Sequence, residues 1–168
     1  MLEKARANAD KVGFNNVEFR LGDIEKIPVT ANNADVVLSN CVLNLVPNKR
    51  AVFAEIFRIL KPGGHFSISD IVLIGELPGK WKEIAELYAG CVSGAIQKDD
   101  YLGLVKEAGF SNKKKQKEKD IMIPDEMLAE YLTADEMASY KNGSVKIVSI
   151  TVYAEKRVPC CEPGSGCC

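Results

Sequence analysis

The pattern of apolar and polar positions divides the chain into helical, extended and turn segments. Leu2 to Val12, rich in alanine, lysine and glutamate, predicts a helix, with Gly13 as its stop. Asn15-Asn16 marks a turn, and Val17-Glu18-Phe19-Arg20-Leu21 alternates with the period of a strand. Gly22 to Pro28 follows as a loop that presents Asp23. Ala34 to Leu38 is a short β-branched and apolar run, the pattern of a buried strand. From Pro47 to Leu60, Val52, Phe53, Ile56, Ile59 and Leu60 recur at helical spacing, and the proline stands where a helix can begin without losing a needed donor. Lys61-Pro62-Gly63-Gly64 stops that helix, and Phe66, Ile68, Ile71 and Val72 predict a further strand ending near Asp70. Helix, strand, strand, helix, strand, joined by links of crossover length, predicts an α/β fold: a doubly wound, mostly parallel sheet.

The second half continues with a helix expected from Lys80 to about Ala95, carrying Trp81, Ile84, Leu87, Tyr88 and Cys91. Another runs from Lys98 to Ala108 and is closed by Gly109. Lys113 to Lys119 is a basic run, expected as the solvated face of an edge strand or as a loop. Pro124 to Tyr140 has a helical pattern. Ser144 to Lys156 alternates Val145, Ile147, Ser149, Thr151 and Tyr153 against Lys146, Val148, Ile150, Val152 and Ala154. It is the strongest strand pattern in the chain and, coming last, is expected to insert antiparallel. The segment from Pro159 to Cys168 has no apolar periodicity to bury. The organisation expected is one folded domain over residues 1–157 and a flexible cysteine-rich tail over 158–168.

Charge narrows the partners. With 22 basic and 23 acidic residues the net charge is −1, which gives no general attraction to nucleic acid or to an anionic membrane. Apolar runs are short and interrupted, so no segment reads as a bilayer span or a secretory signal, and the chain is expected to be cytoplasmic.

Cysteine usage changes the picture most. There are six, Cys41, Cys91, Cys160, Cys161, Cys167 and Cys168, beside a single histidine, His65. In a cytosolic chain of 168 residues they read as ligands or redox groups rather than a disulfide framework. One histidine leaves little room for histidine–cysteine nucleophilic pairs and none for zinc sites that need two histidines. Cys41 follows the Ala34–Leu38 strand directly, in the turn to the next helix, where open α/β sheets bind ligands. The alternative is a small buried hydrophobe, a common role for cysteine. Cys91 lies among the small residues Ala89, Gly90, Ser93, Gly94 and Ala95, which let a backbone or a bulky ligand approach closely.

Three motifs occur in an order that resembles class I S-adenosylmethionine-dependent methyltransferases: Leu21-Gly22-Asp23 after a strand, the strand Ala34–Leu38, and Arg58-Ile59-Leu60-Lys61-Pro62-Gly63-Gly64 before another strand. Within that superfamily, Ser39-Asn40-Cys41-Val42-Leu43-Asn44-Leu45, Ala89-Gly90-Cys91-Val92-Ser93-Gly94-Ala95, Ser149 to Lys156 and the tail of paired cysteines are similar to arsenite methyltransferases. The resemblance covers nearly the whole chain and implies a Rossmann-like sheet. It also implies a departure. Family members carry a first strand, a glycine-rich turn and a second strand ahead of the helix that opens this chain, so the sequence is expected to be amino-terminally truncated.

Roles follow from the resemblance. Cys41 and Cys91 become the arsenic-binding and catalytic pair. Asp23 would accept from the adenine amino group, the main chain of Ile24 would reach the ring, and Asn40 would help orient the cofactor. Asp23 has another reading, as the cap of a turn. Cys160, Cys161, Cys167 and Cys168 become accessory ligands for trivalent arsenic, or simply a tail. Trivalent arsenic is soft and thiophilic, so thiolates suit it. Its lone pair can take a methyl group without loss of a proton, so no general base is needed.

The activity implied is methylation of trivalent arsenicals from S-adenosylmethionine, with thioredoxin or glutathione as thiol reductant. The alternatives are a truncated module that only binds trivalent arsenicals, and a general small-molecule methyltransferase. A homodimer through exposed strand edges is a further expectation, because strands stripped of neighbours invite pairing.

Overall fold

The computed structural model describes residues 2–76, 92–129, 133 and 145–158. They form α1 (Leu2–Val12), β1 (Ala34–Asn40), a 3-10 turn (Leu43–Leu45), α2 (Lys49–Ile59), β2 (Leu60–Ile74), α3 (Lys98–Glu107), β3 (Ser111–Asp120), α4 (Asp125–Ala129) and β4 (Lys146–Glu155). The sheet order is β1-β2-β4-β3; β1 runs parallel to β2, and β4 runs antiparallel to both its neighbours. β1, α2 and β2 make the parallel crossover unit of an α/β protein. The final strand inserts antiparallel, as its position in the sequence suggests.

Burial explains the order. Val148, Ile150, Val152 and Ala154 on β4 are all buried and share a face with Phe66, Ile68 and Val72 of β2. On that face lie Val52, Phe53 and Ile56 from α2, with Tyr101 and Val105 from α3. The Phe53 ring meets Tyr101 edge-on at 5.3 Å, and Phe66 meets Phe110 at 4.7 Å and 90°. β3 is lysine-rich and exposed along nearly its whole length, the composition that discourages an edge strand from pairing with another chain.

Four expectations need correction. Val17–Leu21 is not a strand: among the described residues it joins no sheet, and Val17 and Leu21 are exposed at 46% and 83%. Period-two alternation forms a strand only where a neighbouring strand offers its edge, and none among the described residues does so. β1 forms, but it is an edge strand rather than a buried one, with Val36 and Leu38 facing outward at 45% and 75%. α2 starts at Lys49 instead of Pro47, because the Asn48 side chain accepts from Ala51 N at 3.1 Å and caps it. β2 neither waits for Gly64 nor ends at Asp70. It runs for 15 residues, absorbing Lys61–Gly64 in an irregular stretch where Gly63 takes φ +82°. Because β4 runs antiparallel to both β2 and β3, one of the three strand pairings among the described residues is parallel and two are antiparallel.

Past β4 the chain stays anchored through Lys156. Its ammonium donates to Asn32 Oδ1, Phe57 O and Leu60 O, each at 2.8 Å, and stands 4.7 Å above the Phe57 ring. Lys156→Met is expected to cost about 2 kcal/mol, since three acceptors lose a charged donor at once. Chemical denaturation checks this. The helix expected from Lys80 to Ala95 and the tail from Pro159 fall mostly or wholly outside the described residues, as does most of the 124–140 helix beyond Ala129.

Candidate functional site

The β1 strand ends at Asn40, opposite Ser69 of β2, and Cys41 turns away from the sheet. Cys41 has φ +55°, a left-handed conformation that few non-glycine residues adopt. Its N–H still donates to Ser69 O at 2.8 Å, so the turn is fixed to the last rung of the ladder. The Cys41 side chain is half-buried and Asn40 is exposed, at the carboxyl edge of the sheet.

Beyond that rung β2 continues without β1. Asn44 fills the next place: it is 3% exposed, and its Nδ2 donates to Ile71 O at 2.7 Å. Further along, Leu73 N donates to Ile96 O at 3.0 Å, and Leu73 pairs with Gln97 in an isolated parallel bridge. One edge of β2 is thus covered in turn by β1, by an asparagine amide and by the segment before α3. A Cβ built on Gly94 would stand 1.8 Å from Asn44 O, so only glycine allows these two main chains to meet.

The loop that carries Asp23 is tied to the same region. Glu25 Oε1 accepts from Asn48 N at 3.1 Å, just before α2. Glu55 Oε2 accepts from Ile27 N at 2.8 Å, while Arg58 donates to Ile27 O at 3.0 Å and Val29 O at 2.8 Å. Arg58 also pairs with Glu55 at 2.7 Å, which holds the Glu55 carboxyl below its usual range. The motif arginine thereby braces this loop against α2. Asp23 Oδ1 accepts from Glu25 N at 2.9 Å, so the turn-cap reading of Asp23 holds. Asp23 and Ile24 also line a cleft of about 270 Å³ with Arg20, Gly22, Ile27, Pro28 and Val29.

Beneath the Cys41 turn is a polar cluster that the sequence did not reveal. Asp70 is 1% exposed, and its Oδ2 accepts from the Tyr101 hydroxyl at 2.8 Å. Burial pushes its carboxyl up to about 6, against the opposing pull of the Tyr101 hydrogen bond and the Lys49 charge. Tyr101 is pushed upward by its own burial and by Asp70. Burial likewise draws the Lys49 ammonium downward, with Asp70 opposing, and its Nζ reaches Val46 O at 3.3 Å. Asp70 Oδ1 and Asn44 Oδ1 are buried and accept no hydrogen bond from the described residues. Asp70 therefore faces the core between β2 and α3 rather than a ligand cleft. A polar residue in an apolar run, at an even position among Phe66, Ile68 and Val72, was the available signal.

The described residues thus bring Asn44, three residues after Cys41, against Gly94, and the Asp23 loop is tied to the start of α2. Cys91, Cys160, Cys161, Cys167 and Cys168 lie outside the described residues. No helix among the described residues is long and apolar enough to cross a membrane.

Comparison with known proteins agrees with the family read from the motifs. An arsenite methyltransferase of Halobacterium salinarum is 44% identical over 110 residues, covering 66% of this chain and 28% of its own. One from Aquipseudomonas alcaligenes is 36% identical over 128 residues, covering 74% of this chain and 37% of its own. The chain therefore spans about a third of the length of these curated relatives. The crystal structure of an arsenic(III) S-adenosylmethionine methyltransferase from Chlamydomonas reinhardtii superposes with a TM-score of 0.68 at 29% identity, covering 92% of this chain and 50% of that one. The resemblance to arsenite methyltransferases and the Rossmann-like fold are both borne out. The family model described as a methyltransferase domain matches residues 1–109, and the chain belongs to that family.

Proposed function

We propose that this chain is the arsenic-binding part of an S-adenosylmethionine-dependent arsenite methyltransferase, with Cys41 and Cys91 as the thiolates that hold trivalent arsenic. The observation that carries the reading is the meeting of Asn44 with Gly94. Each stands three residues after one of the two cysteines, and their main chains touch. Three residues span at most about 10 Å, so the two thiols have a common neighbourhood within reach.

In this reading the two thiolates fix the substrate and leave its lone pair directed outward. Cys41 is held by its main-chain bond to Ser69, so the thiol is positioned by the sheet and not by a mobile loop. No residue has to take a proton from arsenic, and catalysis is mainly positioning. The cofactor, when bound, supplies an electrophilic sulfonium methyl group. Asp23, the main chain of Ile24, and Asn40 are the residues proposed to hold it. The Asp23 cleft, about 270 Å³, is smaller than the roughly 300–1,000 Å³ that encloses a whole drug-sized ligand. It suits the adenine end, and no described residue offers a matching cradle for the methionine end.

Two titrations test this. The 168-residue chain is expected to bind S-adenosylmethionine weakly or not at all, and to bind a two-coordinate trivalent arsenical tightly. Tight cofactor binding with methylated product would make the chain a complete catalyst. Arsenical binding without product would make it a binding module, and no arsenical binding would favour a general small-molecule methyltransferase. The stoichiometry also tests the accessory role proposed for Cys160, Cys161, Cys167 and Cys168, and with it the division of the chain into residues 1–157 and a tail.

Two partners complete the reading. Donating its lone pair to the methyl group leaves arsenic pentavalent; two thiols return it to the trivalent state and become a disulfide, which a thiol reductant, thioredoxin or glutathione, reduces in the cytoplasm. A second copy is proposed to pair along the outer edge of β1, the strand at one end of the sheet order. Sedimentation at increasing concentration would show a monomer throughout if that edge stays bare.

A further inference from the structure

Two ionisable groups are buried beneath the turn that follows Cys41, and among the described residues neither has its full set of partners. Lys49, the first residue of α2, is 7% exposed, and its Nζ reaches Val46 O at 3.3 Å. That is longer than the roughly 2.7–3.2 Å of a good N–H···O bond, and an ammonium has three protons to donate. Val46 closes the 3-10 turn behind Cys41, so this bond ties the turn to α2. Asp70 on β2 is 1% exposed. Its Oδ2 accepts from the Tyr101 hydroxyl at 2.8 Å, while its Oδ1 takes no donor from the described residues. The Lys49 and Asp70 charges nevertheless act on each other. Among the described residues, Lys49 from α2 and Tyr101 from α3 are the titratable groups that face Asp70. Asn44, from the turn itself, is uncharged and holds Ile71 O.

An ammonium placed near a carbonyl and a carboxyl has a preference that one proton decides. A neutral acid offers Lys49 no charge, and Val46 O is then the better acceptor. A carboxylate left unpaired in the core is costly, and a charge-assisted bond to it is about twice as strong as one to a neutral oxygen. The flexible four-carbon stem of lysine lets Nζ change partner while the helix stays in place. We propose that Lys49 is a proton-operated latch on the Cys41 turn: its ammonium holds Val46 O while Asp70 is protonated, and passes to Asp70 Oδ1, releasing Val46, when Asp70 gives its proton to solvent. Burial raises the Asp70 carboxyl to about 6, so the latch is closed in acid and open above neutrality. Once open, the turn keeps the bonds from Cys41 N to Ser69 O and from Asn44 Nδ2 to Ile71 O. Lys49 is thus a positioning residue for the segment that presents Cys41. Its bearing on arsenic rests on the reading of Cys41 given above; the latch itself needs no arsenic, so the two stand or fall in separate experiments.

The test uses the full chain without any arsenical. Crystal structures at about pH 4.5 and about pH 7.5 bracket the Asp70 midpoint of about 6. Lys49 Nζ is expected on Val46 O at the lower pH and within about 3 Å of Asp70 Oδ1 at the higher. In solution, nitrogen-15 relaxation reads the turn at the same two pH values. The order parameters of Leu45 and Val46 should fall from the roughly 0.85 of rigid backbone by about 0.1 or more on going to the higher pH. Asp70→Asn cannot ionise, so its turn should keep the low-pH values throughout. Lys49→Met keeps the buried stem and loses the ammonium, so its turn should show the lower values at both pH values.

The latch is overturned if Lys49 stays on Val46 O at both pH values. It is equally overturned if Lys49 moves while the order parameters of Leu45 and Val46 hold, since the bond would then not restrain the turn. Asp70→Asn loosening with pH as the parent does would assign the change to another titrating group. A Lys49→Met turn as ordered as the parent's at low pH would remove the role of the ammonium. Should either variant fail to fold, the two structures and the relaxation of the parent still decide the matter.

Discussion

Cys41→Ser is expected to weaken binding of a two-thiol arsenical by about 10³-fold, within the range by which a second tethered contact raises affinity. Serine is nearly isosteric, and the main-chain bond from position 41 to Ser69 O survives the change. The half-buried side chain leaves room for a hydroxyl without a cavity. The left-handed backbone at φ +55° is no more strained by serine than by cysteine. What disappears is the soft sulfur donor, and a neutral hydroxyl does not replace it for a thiophilic centre. The melting temperature should therefore barely move while the affinity collapses. Isothermal titration, with the tail cysteines changed to serine, measures the loss of affinity, and a thermal melt of the same samples measures the stability. An unchanged affinity would assign arsenic to other ligands and remove the proposed role of Cys41.

Asp70→Asn is expected to change the pH dependence of stability by about 3 kcal/mol between pH 4 and pH 7. The folded-state carboxyl is raised from 3.8 to about 6, mainly by burial. A tenfold change in proton affinity on folding is worth about 1.4 kcal/mol, which sets the size. The sign follows from the direction. A raised pKa means that the folded protein favours the protonated acid. Its contribution is fully present below about pH 4 and is lost as the pH rises through about 6. An asparagine keeps an acceptor for the Tyr101 hydroxyl, now 2.8 Å from Asp70 Oδ2, and does not titrate. The variant should therefore gain on the parent steadily across that interval. Urea denaturation of both proteins at several pH values gives the difference directly. A difference that stays flat with pH would mean that the Lys49 charge and the Tyr101 hydroxyl compensate the buried carboxylate in full.

Local pattern went far in this chain where one segment carries its own instruction. The apolar spacing of Val52, Phe53 and Ile56 suffices for a helix in any context that offers an apolar surface. The even-numbered stripe of Val148, Ile150, Val152 and Ala154 is legible as a strand with one buried face. Motif order also identified the family, because Leu21-Gly22-Asp23, Arg58 to Gly64 and the surroundings of Cys41 are contiguous residues. Arg58 shows what lies behind such a motif, since its guanidinium donates to the carbonyls of Ile27 and Val29 in the loop ahead of β1.

What the sequence could not decide depends on neighbours distant along the chain. Val17–Leu21 and Ala34–Asn40 carry similar strand signals, yet only the second finds an edge, that of β2, and becomes a strand. Asp70 reads as a strand-end residue until Tyr101, 31 positions later, claims its carboxylate and α3 covers it. Asn44 looks like a companion of Cys41, but the packed structure makes it a rung on β2 through Ile71, 27 positions away. Gly94 passes for one small residue among several until Asn44 O is found where its side chain would stand. In each case the local signal is a property of one segment, whereas the role is fixed by which segment packs against it, and that is settled only when the whole core closes.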